Sequence, residues 1–336
     1  MKEKKTIVVL SLGAGVQSTA LALMGERGMI AKPHCAIFAD TGDEPPAVHA
    51  HLAKLIPMLS FPVYTVKFGD LGADFLAALA GEKNRTSQPP FFVSVPDLSP
   101  DEIAAVLAEP EPKICDFTDA TVDLKLTNLE TGQEFETTNT ALDDFHDAWN
   151  NWNIRRRQAL RKDRGGMLWR ACTRDYKIIP IRRKVRQIMR EVKAKRVIQQ
   201  IGISTDERER EKGSGVKFIT NSHPMLELGW SRQDCERWLA AEFGLNPVKS
   251  ACYYCPYRSN SGWEWMKRND PDQFEMACKF DEAIRESQGR KVRGAGIVGN
   301  LFVWRGYAPL RTAVFTQAEA QLDFGFEQEC DGMCGN

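Results

Sequence analysis

No stretch of this 336-residue chain approaches the ~20 consecutive apolar residues of a membrane-spanning helix. Its first residues, Met1–Lys5, are basic, but the apolar run behind them ends at Gly13, so the expectation is a cytoplasmic protein with no membrane partner. Net charge is also lacking. The 45 Lys+Arg balance 45 Asp+Glu, so the whole-chain balance says nothing about partners. Internal repeats and low-complexity segments are absent, which leaves an ordinary folded chain. Hydrophobic residues make up 43%, enough for one large domain or a core with additions. Two phosphate-loop signatures are missing as well. In Ser11-Leu-Gly-Ala-Gly-Val-Gln-Ser18 no lysine precedes Ser18, which excludes GxxxxGK[ST]. Ser18 also stands where GxGxxG needs its third glycine.

What is present is a sharp local asymmetry. Residues 97–150 hold 2 basic and 14 acidic residues, whereas residues 151–220 hold 21 basic and 7 acidic ones. The first stretch interrupts an alternation of strands and helices, and reads as an acidic inserted α+β subdomain. Ser99 suits an N-cap there, and Thr121–Asn128 with Glu134–Thr138 suits a hairpin. Its expected role is to cover the basic segment or to contact a partner.

On either side the pattern predicts an α/β fold with a doubly wound, mostly parallel sheet. Thr6–Leu10, Cys35–Phe38, Val63–Val66 and Val197–Ile203 read as strands. Ser18–Glu26, Ala47–Leu59, Gly72–Ala80, Ile181–Arg196 and Ser231–Glu242 read as helices. The expected organisation is a nucleotide-binding core over 1–96 and 151–250, the insert over 97–150, and a helical C-terminal region over 251–336. Ligands of such sheets sit at the carboxyl ends of strands. Ser11–Ser18 and Asp40-Thr41-Gly42 both fall there.

A strand feeding a glycine turn and a helix aims backbone N–H groups at an anion. Ser11, Gly13, Gly15, Gln17 and Ser18 are therefore candidate phosphate contacts, although an ordinary strand–helix turn would carry the same glycines. Asp40 suits a ribose hydroxyl or a metal, and Thr41-Gly42 lets a base lie against backbone; helix capping is the plainer role for Asp40. After the later strand, Asp206 or Glu207 suits Mg²⁺, and Arg208 and Arg210 suit phosphates; a solvated turn with internal ion pairs is the alternative. The stretch Trp149–Trp169, with Arg155, Arg156, Arg157 and Arg164, suits nucleic acid or the acidic insert before it.

Nine cysteines in a chain expected to be cytoplasmic point to metal, redox or buried roles before disulfides. Cys35, Cys235 and Cys278 sit in apolar contexts and suit packing. Cys172 together with Cys252-Tyr-Tyr-Cys255 suits a 4Fe–4S cluster with one open iron, three ligands of zinc, or a dithiol pair at Cys252 and Cys255. Cys330 and Cys334 suit a thiol that swings into a site, or an unused tail.

These residues resemble the adenine nucleotide alpha-hydrolase-like (PP-loop ATPase) superfamily. Phe38-Ala-Asp-Thr-Gly42, Pro224–Trp230 with Asp234, and Lys249-Ser-Ala-Cys-Tyr-Tyr-Cys255 are similar to segments of its phosphoadenylyl sulfate reductase family. The likeness covers roughly residues 5–95 and 168–260. It implies that Gly13, Gly15 and Ser18 hold phosphates, that Asp40, Thr41 and Gly42 lie by the adenosine, and that Cys172, Cys252 and Cys255 bind a 4Fe–4S cluster. The loop departs from SGGxxS, and Val16-Gln17 stands where thiolases carry Lys-Asp. A single cysteine at Ala171-Cys172 fits the iron–sulfur sulfurtransferases better than the reductases, which use a pair. The expectation is an ATP-dependent sulfurtransferase that adenylylates an acceptor, a nucleic acid such as tRNA or DNA. Its sulfur donor or reductant would be a cysteine desulfurase or a thioredoxin-like protein. The alternatives are an adenylyl sulfate reductase using Cys330 or Cys334, and a catalytically silent binder of nucleotide or nucleic acid.

Overall fold

The computed structural model describes residues 5–83, 87, 89–94, 100–113, 124–127, 134–137, 145, 148–149, 151–152, 165–248, 250–286 and 300–315. Its strands are β1 (Thr6–Ser11), β2 (Cys35–Asp40), β3 (Val63–Lys67), β4 (Phe92–Ser94), β5 (Leu124–Thr127), β6 (Glu134–Thr137), β7 (Gly165–Met167), β8 (Arg196–Gln200), β9 (Ile219–Ser222) and β10 (Asn300–Phe302). The main sheet has the order β3-β2-β1-β8-β9, with every pairing parallel. Parallel strands need crossover connections, and helices supply them on both faces.

One face is covered by α1 (Val16–Glu26), α2 (Pro46–Leu55) and the helix Arg232–Phe243. Leu21, Leu52, Cys235 and Leu239 pack there against Leu10 and Phe38. The other face is covered by the basic helix Ile179–Glu191. Its Ile181, Val185 and Ile188 pack on Val9, Ile37 and Val197. The alternation along β1 explains this: Val9 faces one layer and Leu10 the other.

The expected helix from Ser18 begins earlier, at Val16, with Gly15 as its N-cap. The expected Ile181–Arg196 helix ends at Glu191, and six residues of π-helix, Thr173–Ile178, lead into it. Ser231 caps its helix in a reciprocal capping box with Asp234. The hairpin of the acidic stretch is present as antiparallel β5–β6.

A second core lies beside the sheet. It joins α3 (Leu71–Leu79), the antiparallel sheet β10-β4-β7, and the helices Asn260–Asn269 and Pro271–Glu286 around Trp263 and Phe91. The region after Cys255 is thus packed with residues from early in the chain. Asp281, fully buried, ties it together by accepting from the N–H of Val303 and of Leu310, both at 2.9 Å. No helix among the described residues is long and apolar enough to cross a membrane.

Candidate functional site

Three segments meet at the carboxyl edge of the sheet, as strand order requires of loops leaving β1, β2 and β8. The first is the glycine loop. Leu12 still donates to the Ile37 carbonyl at 2.9 Å, so the loop leaves the sheet only after that residue. Its left-handed residue is Ala14, at φ +61°, and neither flanking glycine. Gly15, at φ −89°, ends the turn and accepts from the Ser18 hydroxyl at 3.2 Å and the Thr19 N–H at 3.0 Å. Ser11, Gln17 and Ser18 are all buried.

The second segment follows β8. Gly202 lies against the first turn of α1. A Cβ there would stand 2.9 Å from Gln17 Cβ and 3.0 Å from the Ser18 nitrogen. Gly202→Ala is expected to push the two loops apart and to lower stability by about 1–3 kcal/mol, read by denaturant unfolding. Beyond it, the turn Thr205–Arg210 carries Glu207, which is buried and paired with Arg210 at 2.5 Å. Gln17 joins this pair. Its Nε2 donates to Glu207 Oε2 at 3.4 Å, and its Oε1 accepts from Arg232 at 3.5 Å. Burial raises the Glu207 carboxyl above its ordinary range, while Arg210 and Arg232 oppose that shift. Asp206 accepts from the Arg232 backbone N–H at 2.6 Å, at the start of the helix behind it. Arg208 is exposed. The structure therefore brings this segment to the glycine loop through Gln17. It gives Arg210 an acidic partner and Asp206 a capping role.

The third segment is Asp40–Glu44. Asp40 Oδ1 accepts from the Gly42 N–H at 2.7 Å, forming the tight turn after β2. Gly42 has φ +87°, and a Cβ there would fall 2.0 Å from Asp70 Oδ1, so only glycine fits. The Glu44 carboxylate accepts from the N–H and the hydroxyl of Thr41, each at 2.9 Å. Asp43 is buried and accepts from the Gly72 N–H at 2.7 Å and the Tyr254 hydroxyl at 2.6 Å.

That last contact leads to the cysteines. Cys252 and Cys255 share one turn, with the Cys255 N–H bonded to the Cys252 carbonyl at 3.0 Å. The Cys252 sulfur lies 3.5 Å from Thr41 Oγ1. The Thr41 proton is committed to Glu44, so the thiol is the donor in this contact. Burial pushes the Cys252 thiol well above its ordinary value, with the Glu44 charge adding to the shift and Lys177 opposing it.

Lys177 is the residue that sequence reasoning missed. It is buried and lines a cavity of about 10 Å³, on the scale of one water, together with Gly13, Phe38, Glu44 and Ser250. It stands one turn past Cys172, in the π-helix. Burial raises the Glu44 carboxyl, and the Lys177 charge is the first influence opposing that. A lysine inside the run Tyr176-Lys177-Ile178, on the buried side of its helix, was the available signal.

Cys172 is half-buried at the start of the π-helix, and Cys255 is buried. Among the described residues no three His, Cys, Asp or Glu side chains are gathered as metal ligands. The three thiols as placed are thus not a ready-made cluster site, and no chemical step is derived through one. Cys35 and Cys235 are buried, their thiols pushed up to about 12, as packing roles require. Cys330 and Cys334 lie outside the described residues, as does most of Trp149–Trp169.

No protein-family model matches the chain, and no curated protein matches it.

Proposed function

We propose that the chain is an ATP-dependent sulfurtransferase of the PP-loop type. The observation that carries this reading is the contact of Cys252 with Thr41. It sets the Cys-x-x-Cys turn against the segment expected to face adenosine, one strand from the glycine loop. That juxtaposition puts a thiol beside the expected nucleotide site, which supports the reading.

In this reading the N–H groups of Gly15 to Ser18 and the Lys177 ammonium hold the phosphates of ATP. Lys177 supplies the cation that Val16-Gln17 lacks. An acceptor oxygen attacks the α-phosphorus, and pyrophosphate leaves. A persulfide sulfur, carried on Cys330 or Cys334 after loading by a cysteine desulfurase, then attacks the acceptor atom and AMP leaves. A second thiolate attacks the inner sulfur, forming a disulfide and freeing the thiolated acceptor. A thioredoxin-like dithiol reduces that disulfide. Asp206 or Asp40 is the proposed contact for Mg²⁺. Cys172, Cys252 and Cys255 remain the proposed holders of a 4Fe–4S cluster, for which the donor chemistry, though not the present placement, is suitable.

The test is anaerobic isolation, then incubation with ATP and nucleic acid. The expected result is release of AMP and pyrophosphate, with about four iron and four sulfide per chain if the cluster part holds. Zinc without iron overturns the cluster. ATP binding without AMP release, across RNA and DNA acceptors, overturns the transferase in favour of a silent binder. Sulfite release from adenylyl sulfate overturns it in favour of a reductase.

A further inference from the structure

The helix Ile179–Glu191 buries Ile181, Val185 and Ile188 in the sheet and turns a cationic face outward. Arg183, Arg186, Arg190, Lys193, Lys195 and Arg196 are all exposed. Among the described residues none of these six is ion-paired with a carboxylate. The acids nearest in sequence are otherwise engaged: Asp175 pairs with Arg174 at 3.8 Å and Glu191 accepts from Gln187 at 2.9 Å. Asp70, after β3, pairs with Lys67 at 2.6 Å. Elsewhere on the surface the exposed Arg237, Arg268 and Arg311 carry acidic partners, while Arg208 has none among the described residues. A row of like charges with no acidic partner among the described residues raises the local potential and attracts anions.

The row is also shaped. One groove of about 600 Å³ is lined by Arg186, Met189, Arg190, Lys193, Lys195 and Phe218. A second, of about 350 Å³, is lined by Lys67, Phe68, Arg183, Lys184, Gln187 and Arg190. Arg190 belongs to both, so the two form one track across the helix. Aromatic rings hold the cations in place: Arg183 lies 5.8 Å over Phe68, Lys184 4.1 Å over Tyr64, and Arg186 5.2 Å over Phe218. The track ends at the site. Lys67 is the register partner of Asp40 at the carboxyl end of β2.

We infer that this face is a nucleic-acid track that leads a phosphate backbone to the carboxyl edge of the sheet. The helix of 13 residues is about 20 Å long, enough to run beside several phosphates of one strand. The inference rests on the sulfurtransferase reading only for the chemistry after binding, and it gives that enzyme a place to hold its acceptor.

Binding is therefore measured on the full chain without ATP, by fluorescence anisotropy with a single-stranded RNA and a DNA of the same sequence, over a salt series. Wild type is expected to bind both, with log Kd depending linearly on log salt. The variant R186Q/R190Q/K193Q is expected to bind at least about tenfold more weakly, with the slope reduced by about 2 for three lost phosphate contacts. The variant R186K/R190K should keep the wild-type slope, and R237Q/R268Q, which removes ion-paired cations, should leave it unchanged. A triple variant that melts like wild type and binds with its affinity and slope overturns the inference. So does wild type that fails to bind at about 50 mM salt, the outcome expected if the chain's own acidic residues 97–150 occupy the track. Loss of AMP release with binding intact would count against the transferase reading alone.

Discussion

Lys177→Met is expected to abolish nucleotide turnover and to lower stability by about 1–3 kcal/mol, the cost of leaving a buried polar group uncompensated. Lys177 is the cation that opposes the rise of the Glu44 carboxyl, and both line the cavity beside Gly13. Without it, Glu44 keeps the Thr41 N–H and hydroxyl as donors, but the Asp40 carboxyl beside it raises its pKa further and no cation opposes that rise. The pH dependence carries the sign. A carboxyl whose pKa is raised in the folded state contributes stability below its ordinary value of 4.5 and loses it as the pH rises through the folded value. Removing Lys177 raises that value further. The deficit of the variant is therefore largest near neutrality and shrinks as the pH falls toward 4.5. Adding Glu44→Gln should restore most of the stability and none of the turnover. Denaturant midpoints over a pH series, with ATP binding measured beside them, check both parts. A variant as stable as wild type at neutral pH would remove Lys177 from this role.

Asp43→Ala is expected to lower stability by about 2–6 kcal/mol and to uncouple the Cys-x-x-Cys turn from the β2 loop. The carboxylate holds two buried donors, the Gly72 N–H at the start of α3 and the Tyr254 hydroxyl. Each buried donor left without an acceptor costs about 1–3 kcal/mol. Tyr254 also stacks on Phe280 at 3.8 Å, so its movement reaches the second core. Tyr254→Phe removes one of the two donors and should have the smaller effect, leaving the Gly72 bond intact. Alkylation of Cys252 by a small reagent gives the second readout. The thiol is held protonated in wild type, and should become reactive in Asp43→Ala before global unfolding. Equal reactivity in both proteins would show that Asp43 does not hold the turn.

Four of the five strands of the parallel sheet were legible from apolar residues in short runs, and its outer helix from a 3.6-residue period; β9, Ile-Thr-Asn-Ser, carries no such run and was not legible. Ile181, Val185 and Ile188 are the clearest case, and they pack where that period puts them. The boundaries at Val16 and Glu191 shifted because backbone geometry sets them: Gly15 caps the first helix, and left-handed Lys193, at φ +56°, with the Ala194 N–H bonded to the Met189 carbonyl at 2.9 Å, ends the second. The position of the glycine loop beside Asp40–Gly42 also followed from chain order, since loops after adjacent parallel strands share an edge.

What sequence alone determined was the class of the fold and the sheet edge at which the loops after β1, β2 and β8 meet. Those depend on local pattern and on strand direction. Tertiary structure decided the partners of the residues there. It gave Arg210 to Glu207, Asp206 to a helix start, Cys252 to Thr41, and Lys177 to the cavity beside Gly13. Among the described residues it also left the cations of Ile179–Glu191 without acidic partners, while giving such partners to arginines elsewhere. A charge acts over a few ångströms in a low-dielectric interior, and which groups come that close depends on contacts between residues far apart in the chain. Thr41 and Cys252 are 211 positions apart, and no local pattern records that they touch.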